Sequence, residues 1–238
     1  MKEYQRDVVI SAKTKSQTAK ATSDAAGEQI DYKNELARKA IHLASILIPI
    51  IYYHITKELA LMLLVPMFLG FFLVDFLKMF VKPVANLYYK HFGAMLRPHE
   101  LDPSQRNFNG ATYVTLAAVL VVWLFPKIIA IASFAILILA DTAAALVGRK
   151  FGKTKIGAKT LEGSVAFFAL ALLVVFVTPK LNPVVGLVIA VSATLAELYP
   201  IRLGNWTMDD NLAIPLVSAM AGLLCYLTFI PHELAFLN

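Results

Sequence analysis

The sequence predicts an all-α, polytopic integral membrane protein with about seven transmembrane helices and a cytoplasmic N-terminus. Three observations carry this. The chain has 238 residues, of which 58% are hydrophobic and only 16% charged, with a mean hydropathy of +0.66. A soluble domain is about half apolar and one-quarter charged. Several apolar runs approach the roughly 20 residues that cross a bilayer as a helix. The basic residues are also strongly biased among the segments that join these runs.

Residues 1–30 are rich in Lys, Ser, Thr, Ala and Gln and read as a mobile polar tail. Residues 1–34 contain no apolar core of a secretory signal, so no cleaved leader is expected. The membrane-embedded domain is taken as residues 31–238, with 31–39 as an interfacial helix entering the bilayer. The spans are expected at 40–55, 59–81, 111–125, 128–147, 164–178, 184–199 and 211–230. Pro126-Lys127 and the stretch 179–183 read as tight turns. With the N-terminus inside, 19 of the 22 Lys and Arg fall on the inner side; only Lys57, Lys127 and Lys180 fall outside. Omitting residues 1–39, the split remains 11 to 3. Every segment of unusual composition (82–110, 148–163 and 200–210) then lies at the cytoplasmic face, and the outer connections are short. The net charge of +6 is read as topology and anionic-lipid contact, and no nucleic-acid partner is inferred. Cys225 is the single cysteine, so no disulfide can form within the chain. No internal repeat of the kind that marks many transporters is evident.

Residues 141–163 hold the densest concentration of chemistry. Asp141 ends a long apolar run. Gly148, Gly152, Gly157 and Gly163 follow, interleaved with Arg149, Lys150, Lys153, Lys155 and Lys159. Glycines let backbone N–H groups approach a ligand, and five cations in eleven residues suit a polyphosphate. A loop that only sets topology would have the same composition. Charges within or at the ends of spans are costly and mark sites. Asp75 lies in the second span, three residues before Lys78; an ordinary interfacial pair and a functional role are both open. Glu197 ends the sixth span, and Asp209, Asp210 and Asn211 begin the seventh, where one of the three can serve as a helix cap. If these spans adjoin, Asp141, Glu197, Asp209 and Asp210 can converge on Mg²⁺, which takes carboxylate and phosphate oxygens. Thr160 and Glu162 can bind a sugar hydroxyl or the metal. Arg38, Lys39 and His42 share the mouth of the first span, where spacing alone reads as a snorkelling anchor or as a phosphate clamp. Asn107, Asn109, Gly110, Thr112 and Tyr113 open the third span and are explained equally by caps, a close helix contact or a ligand.

Taken together, these blocks resemble the membrane family of CTP-dependent lipid kinases, which includes dolichol kinase, phytol kinase and the CTP-using diacylglycerol kinase. They are similar, more distantly, to phosphatidate cytidylyltransferase. The resemblance rests on Glu35-Leu-Ala-Arg38-Lys39-Ala-Ile-His42, on Asn109-Gly-Ala-Thr-Tyr113, and on Asp141-Thr-Ala with Gly148-Arg149-Lys-Phe-Gly152-Lys153 and Lys159-Thr160-Leu-Glu162-Gly163. Glu197 and Asp209-Asp210-Asn211-Leu-Ala-Ile-Pro215 complete it. The last block is shorter than the acidic, His/Gly-rich signature of the cytidylyltransferases, which favours the kinase branch. The resemblance implies CTP as phosphoryl donor, Mg²⁺ as cofactor, and a lipid alcohol in the bilayer as acceptor. It implies catalytic roles for Asp141, Lys159, Glu162 and Asp210. It implies nucleotide contacts from Gly148, Arg149, Gly152, Lys153, Lys155, Lys159, Thr160, Gly163, Arg38 and His42, and metal contacts from Asp141, Glu197, Asp209 and Asp210. The competing readings are a cytidylyltransferase and a non-enzymatic membrane protein or transporter. The sequence is compatible with a homo-oligomer and does not require one.

Overall fold

The computed structural model describes residues 32–93, 96, 108–204 and 206–237. The tail read at 1–30, and Arg97, Arg106 and Asn107, lie outside the described residues. In chain order the helices are α1 (Tyr32–Ala44), α2 (Leu47–His54), α3 (Lys57–Phe80), α4 (Lys82–Phe92), α5 (Gly110–Leu124) and α6 (Lys127–Phe151). A hairpin of β1 (Lys155–Ile156) and β2 (Lys159–Thr160) leads to α7 (Leu161–Val177) and α8 (Pro183–Leu198). A second hairpin, β3 (Arg202–Leu203) and β4 (Trp206–Thr207), leads to α9 (Asp210–Phe229) and a short 3₁₀ helix, Pro231–Phe236. Among the described residues, four helical stretches are long and apolar enough to cross a membrane: Leu36–His54, Lys57–Phe80, Lys127–Phe151 and Asp210–Phe229. Helices α5, α7 and α8 are apolar but shorter.

The hub is α6. It touches α1, α2, α5, α7, α8 and α9. It is buried from Ile128 to Ala144 because it is apolar on every face. Its small residues, Ala130, Ala132, Ser133, Ala135 and Ala140, let neighbours approach closely, which is how helices associate where lipid competes equally well for apolar surface. Neighbouring helices answer with glycine. A Cβ at Gly222 would lie 2.7 Å from Ile189 of α8, and one at Gly186 would lie 3.0 Å from Val175 of α7. The periphery shows the opposite pattern: Met62, Leu63, Leu69 and Leu73 on α3, Phe176 on α7 and Phe229 on α9 are exposed. Such a rind of large apolar side chains around a tightly packed centre is the surface a bilayer solvates.

Helix starts follow local chemistry. The side chains of Thr56, Asn109, Thr160, Asn182 and Asp209 each accept from a backbone N–H of the first turn of α3, α5, α7, α8 and α9. Asp209 is therefore the helix cap among the three polar residues that open α9.

The structure departs from the expected pattern in three places. The first run, expected as one span at 40–55, is two helices broken at Ser45-Ile46, the first of them continuous with the helix expected at 31–39. Pro49 lacks an N–H and its ring crowds the carbonyl four residues earlier, at Ser45, which places the break there. The connection at 82–110 contains α4, started by Pro83 and packed on α3. Two short hairpins replace expected loops. Gly157 (φ 59°) and Gly204 (φ 62°) turn them in the left-handed region that glycine enters without strain.

Candidate functional site

Two lysine–carboxylate clusters meet at one end of α6. In the first, Lys39 of α1 is 3% exposed and donates to Oδ2 of Asp141 on α6. His42, one turn on, brings Nε2 to 3.7 Å from the same oxygen. That nitrogen is buried with no hydrogen-bond partner. Lys39 and His42 therefore point inward, and the reading of this segment as a snorkelling basic anchor does not hold for them. In the second cluster Lys159 of β2 lies 2.8 Å from Asp210 Oδ2 of α9 and 3.2 Å from Glu197 Oε1 of α8. The hydroxyl of Ser164 on α7 donates to the other Glu197 oxygen at 3.1 Å. Burial by itself lowers the pKa of the Lys159 ammonium. Asp210, then Glu197 and Asp141, outweigh it and hold the group above the ordinary lysine value. Lys159 thus electrostatically couples the two clusters.

Around this pole lies a cavity of about 970 Å³. Arg38, Lys39, His42, Asp141, Asp209 and Asp210 line one part of it. Ile41, Ile48, Met67, Phe71, Val74 and Val114 line another. Thr207 of the second hairpin, Asn109 and Asn211 complete the polar wall, with Met208 beside them. A charged pole continuous with an apolar arm suits a ligand that is polyanionic at one end and hydrocarbon at the other.

The glycine-rich segment has a different geometry from the cradle that composition suggests. A Cβ on Gly148 would meet Thr160 Oγ1 at 2.8 Å, one on Gly152 would meet Thr160 Cγ2 at 2.7 Å, and one on Gly163 would meet the Ala144 carbonyl at 2.9 Å. Thr160 is buried, caps α7 through the Gly163 N–H, and fills the notch these glycines leave. Gly148, Gly152 and Gly163 thus seat α7 and the first hairpin against the end of α6. Glu162 accepts from the Thr154 N–H at 3.2 and 3.3 Å and braces the entry to that hairpin. Lys153 and Lys155 are exposed on it, and Arg149 is half-buried in the last turn of α6. None of these residues lines the cavity, and neither do Lys159 and Glu197, which pair just beside its Asp210 wall.

Of the expected metal ligands, Asp141, Asp209 and Asp210 share the cavity and Glu197 does not. Among the described residues no three His, Cys, Asp or Glu side chains stand close enough to hold an ion by themselves. Mg²⁺ commonly takes one or two carboxylates with substrate phosphates, and the Asp141 and Asp210 pair fits that kind of binding. Residues that sequence reasoning missed are Tyr88, Phe92, Leu96 and Phe108, and Pro200, Thr207 and Met208. The apolar spacing of Leu87, Tyr88 and Phe92 on an amphipathic α4 was the one signal that pointed to the first group.

A buried polar node lies beside the cavity. Asp75 of α3 is fully buried and accepts from Lys78 Nζ (2.6 Å), Asn109 N (2.8 Å), Asn109 Nδ2 (3.0 Å) and Thr112 Oγ1 (2.6 Å).

No family model matches the chain and no solved structure matches it. Over about four-fifths of its length it is similar to proteins of three organisms. An uncharacterized protein of Rickettsia prowazekii is 29% identical over 192 residues, covering 78% of this chain and 92% of that protein. The CTP-dependent diacylglycerol kinase 1 of Schizosaccharomyces pombe is 28% identical over 211 residues, covering 79% and 91%. The CTP-dependent diacylglycerol kinase 1 of Saccharomyces cerevisiae is 28% identical over 217 residues, covering 79% and 72%. Two of these three similar proteins thus carry names that join CTP to a lipid acceptor.

Proposed function

We propose that the chain is a CTP-dependent lipid kinase, which transfers the γ-phosphoryl group of CTP to the hydroxyl of a membrane lipid alcohol at the cytoplasmic face. The observation that carries the reading is the cavity, whose lysine–carboxylate pole runs into an arm lined by Met67, Phe71 and Val74. The similarity to two enzymes named CTP-dependent diacylglycerol kinase supports diacylglycerol as the acceptor to test first. Phytol and polyprenols of the dolichol type are the other acceptors of the same chemistry.

In this reading the acceptor's chains occupy the apolar arm and its hydroxyl reaches the charged pole. The hydroxyl oxygen attacks the γ-phosphorus, the bond from that phosphorus to the β–γ bridging oxygen breaks, and CDP leaves. The hydroxyl proton passes to Asp141 or Asp210. Asp141 and Asp210 would hold Mg²⁺ together with the nucleotide's phosphates, and the ion would supply charge neutralisation for the transferring group. Lys39 gives its Asp141 contact, and Lys159 its Asp210 contact, to phosphate oxygens, which are anionic acceptors of the same kind, and Arg38, which lines the cavity, adds a third cation. Lys153, Lys155 and Arg149 raise the local potential through the first hairpin and its approach. Glu197 and Ser164 hold Lys159 in place. All seven apolar helices cross the bilayer, with the N-terminus inside, so that both hairpins face the cytoplasm.

The deciding experiment uses purified full-length protein, Mg²⁺ and mixed lipid alcohols or phosphatidate, with CTP labelled at the γ or the α phosphate. Label from γ-labelled CTP, and none from α-labelled CTP, is expected in the lipid. Incorporation from α-labelled CTP into phosphatidate would instead identify a cytidylyltransferase, since pyrophosphate then leaves. Transfer to no lipid, together with unimpaired nucleotide binding by Lys159→Met, would remove the enzymatic reading.

A further inference from the structure

The buried node around Asp75 is not used by the chemistry above, yet it is the most heavily bonded side chain in the described structure that lies next to the cavity. A fully buried carboxylate within a helix of the bilayer is costly unless it is paired and its oxygens are satisfied. Here Lys78 supplies the charge and Asn109 and Thr112 supply three hydrogen bonds. The Lys78 bond stays within α3. The other three all go to the first turn of α5, and two of them fix one residue, Asn109. Asn109 lines the cavity, caps α5 through Thr112 N, and donates from Nδ2 to the Tyr88 hydroxyl at 2.8 Å. Tyr88 lines the cavity too, and its ring lies 4.5 Å from the Lys78 ammonium. One residue further, Gly110 faces α9: a Cβ there would be in ordinary contact with Asn211 Nδ2, at 3.5 Å. Asn211 in turn donates to Asp209 at 2.7 Å. A short chain of contacts therefore runs from Asp75 through Asn109 to the acidic start of α9.

We propose that Asp75 is a positioning residue for the acceptor side of the cavity: through Asn109 and Tyr88 it sets where the wall made by α4 and the start of α5 stands relative to the apolar arm on α3. The inference rests on the lipid-kinase reading for its kinetic consequence but not for its geometry. Lys39, Asp141, Lys159 and Asp210 lie on other elements, and the node's own hydrogen bonds go to Lys78, Asn109 and Thr112, so its effect on the acceptor side is expected to exceed its effect on the nucleotide.

The test uses full-length protein and two variants. Asp75→Asn with Lys78→Met removes the node without stranding a buried charge. Thr112→Val removes one of its donors at nearly constant volume, and it carries the test where the double variant does not fold. Both are expected to raise the KM for the lipid alcohol at least fivefold for the double variant and about threefold for Thr112→Val. The KM for CTP stays within twofold. A fall in melting temperature with both KM values unchanged would make the node merely structural, and a rise confined to the KM for CTP would put it on the wrong side; either overturns the proposal. A second arm needs no turnover. With Cys225→Ser and Ala111→Cys in the cavity wall, the rate of maleimide labelling is compared with and without each node substitution. A severalfold change is expected. Equal rates overturn the proposal, whereas a wild type that phosphorylates no lipid while labelling still changes removes only the lipid-kinase reading.

Discussion

At the scale of single residues, Lys159 is the side chain on which most of the charged pole depends. It faces Asp210 and the buried Glu197, so its loss strands Glu197, which is 2% exposed. Removing one member of a buried pair costs about 3–5 kcal/mol. Lys159→Met is therefore expected to lower unfolding stability by about 3 kcal/mol, measured by thermal unfolding in detergent, and to reduce CTP turnover at least a hundredfold. Adding Glu197→Gln should restore most of the stability and none of the turnover; recovery of both would deny Lys159 a role in nucleotide binding. The pH dependence follows from the sign of the shift. The folded-state pKa of Lys159 is raised, so its stabilisation is complete below the free-lysine value of about 10.4 and is lost only as pH rises through the higher folded value. The contribution of Lys159 to CTP affinity should thus be flat from pH 7 to 9. A fall within that window would show that its carboxylate partners do not hold the charge.

The sequence expected Lys159, Asp141 and Asp210 in one site; in the structure Lys159 bonds to Asp210, and Asp141 lines the same cavity as Asp210. It did not reveal that Lys39 and His42 turn inward onto Asp141. Spacing on one helix shows which residues share a face, not whether that face meets lipid or another helix.

At the scale of elements, the junction between α6, the first hairpin and α7 is the tightest contact. Gly163→Ala pushes a methyl group toward the Ala144 carbonyl, 2.9 Å from an ideal Cβ. Overpacking of this kind costs about 1–3 kcal/mol. The variant should unfold earlier on heating and label faster at cysteines placed on the hairpin. If its stability equals that of the wild type, the junction tolerates separation and the glycines have another purpose. Thr160 both caps α7 and fills the notch. Thr160→Val should lose about 1 kcal/mol for the cap alone, and Thr160→Ser should retain the cap but loosen the notch. Unfolding of the two variants under identical detergent conditions separates these parts. The helices themselves were legible: each of the seven expected spans has its core inside an observed helical stretch, because a run of apolar residues in a bilayer must satisfy its backbone internally. The break at Ser45-Ile46, α4 and the two hairpins were not, since each depends on a proline, a half-apolar face or a positive-φ glycine whose consequence is decided by what packs beside it.

At the scale of the whole molecule, the bias in basic residues supports the proposed orientation, and the bundle puts both hairpins and the charged pole at the same end of α6. In reconstituted vesicles or cells, Lys155→Cys in a Cys225→Ser background should react with an impermeant maleimide only from the inner side. Reaction from the outside alone would invert the proposed topology. The apolar arm makes a separate demand. Phe71→Trp or Val74→Trp should raise the KM for a long-chain alcohol severalfold and leave that for CTP unchanged, because both residues belong to the apolar lining of the cavity, on α3. Equal effects on both substrates would show that nucleotide and lipid do not occupy separate arms.

The sequence by itself determined the environment, the helices and the inventory of charges, because hydropathy, caps and the cost of burying a charge act locally and can be read residue by residue. Only the tertiary structure decided which charges face one another. It turned the glycines into a seat for Thr160, put Glu197 behind Lys159, and enclosed a cavity between α1, α3, α5 and the start of α9. Those outcomes depend on distances between segments far apart in the chain, which are set by the close packing of small residues along α6 and leave no local trace in the order of amino acids.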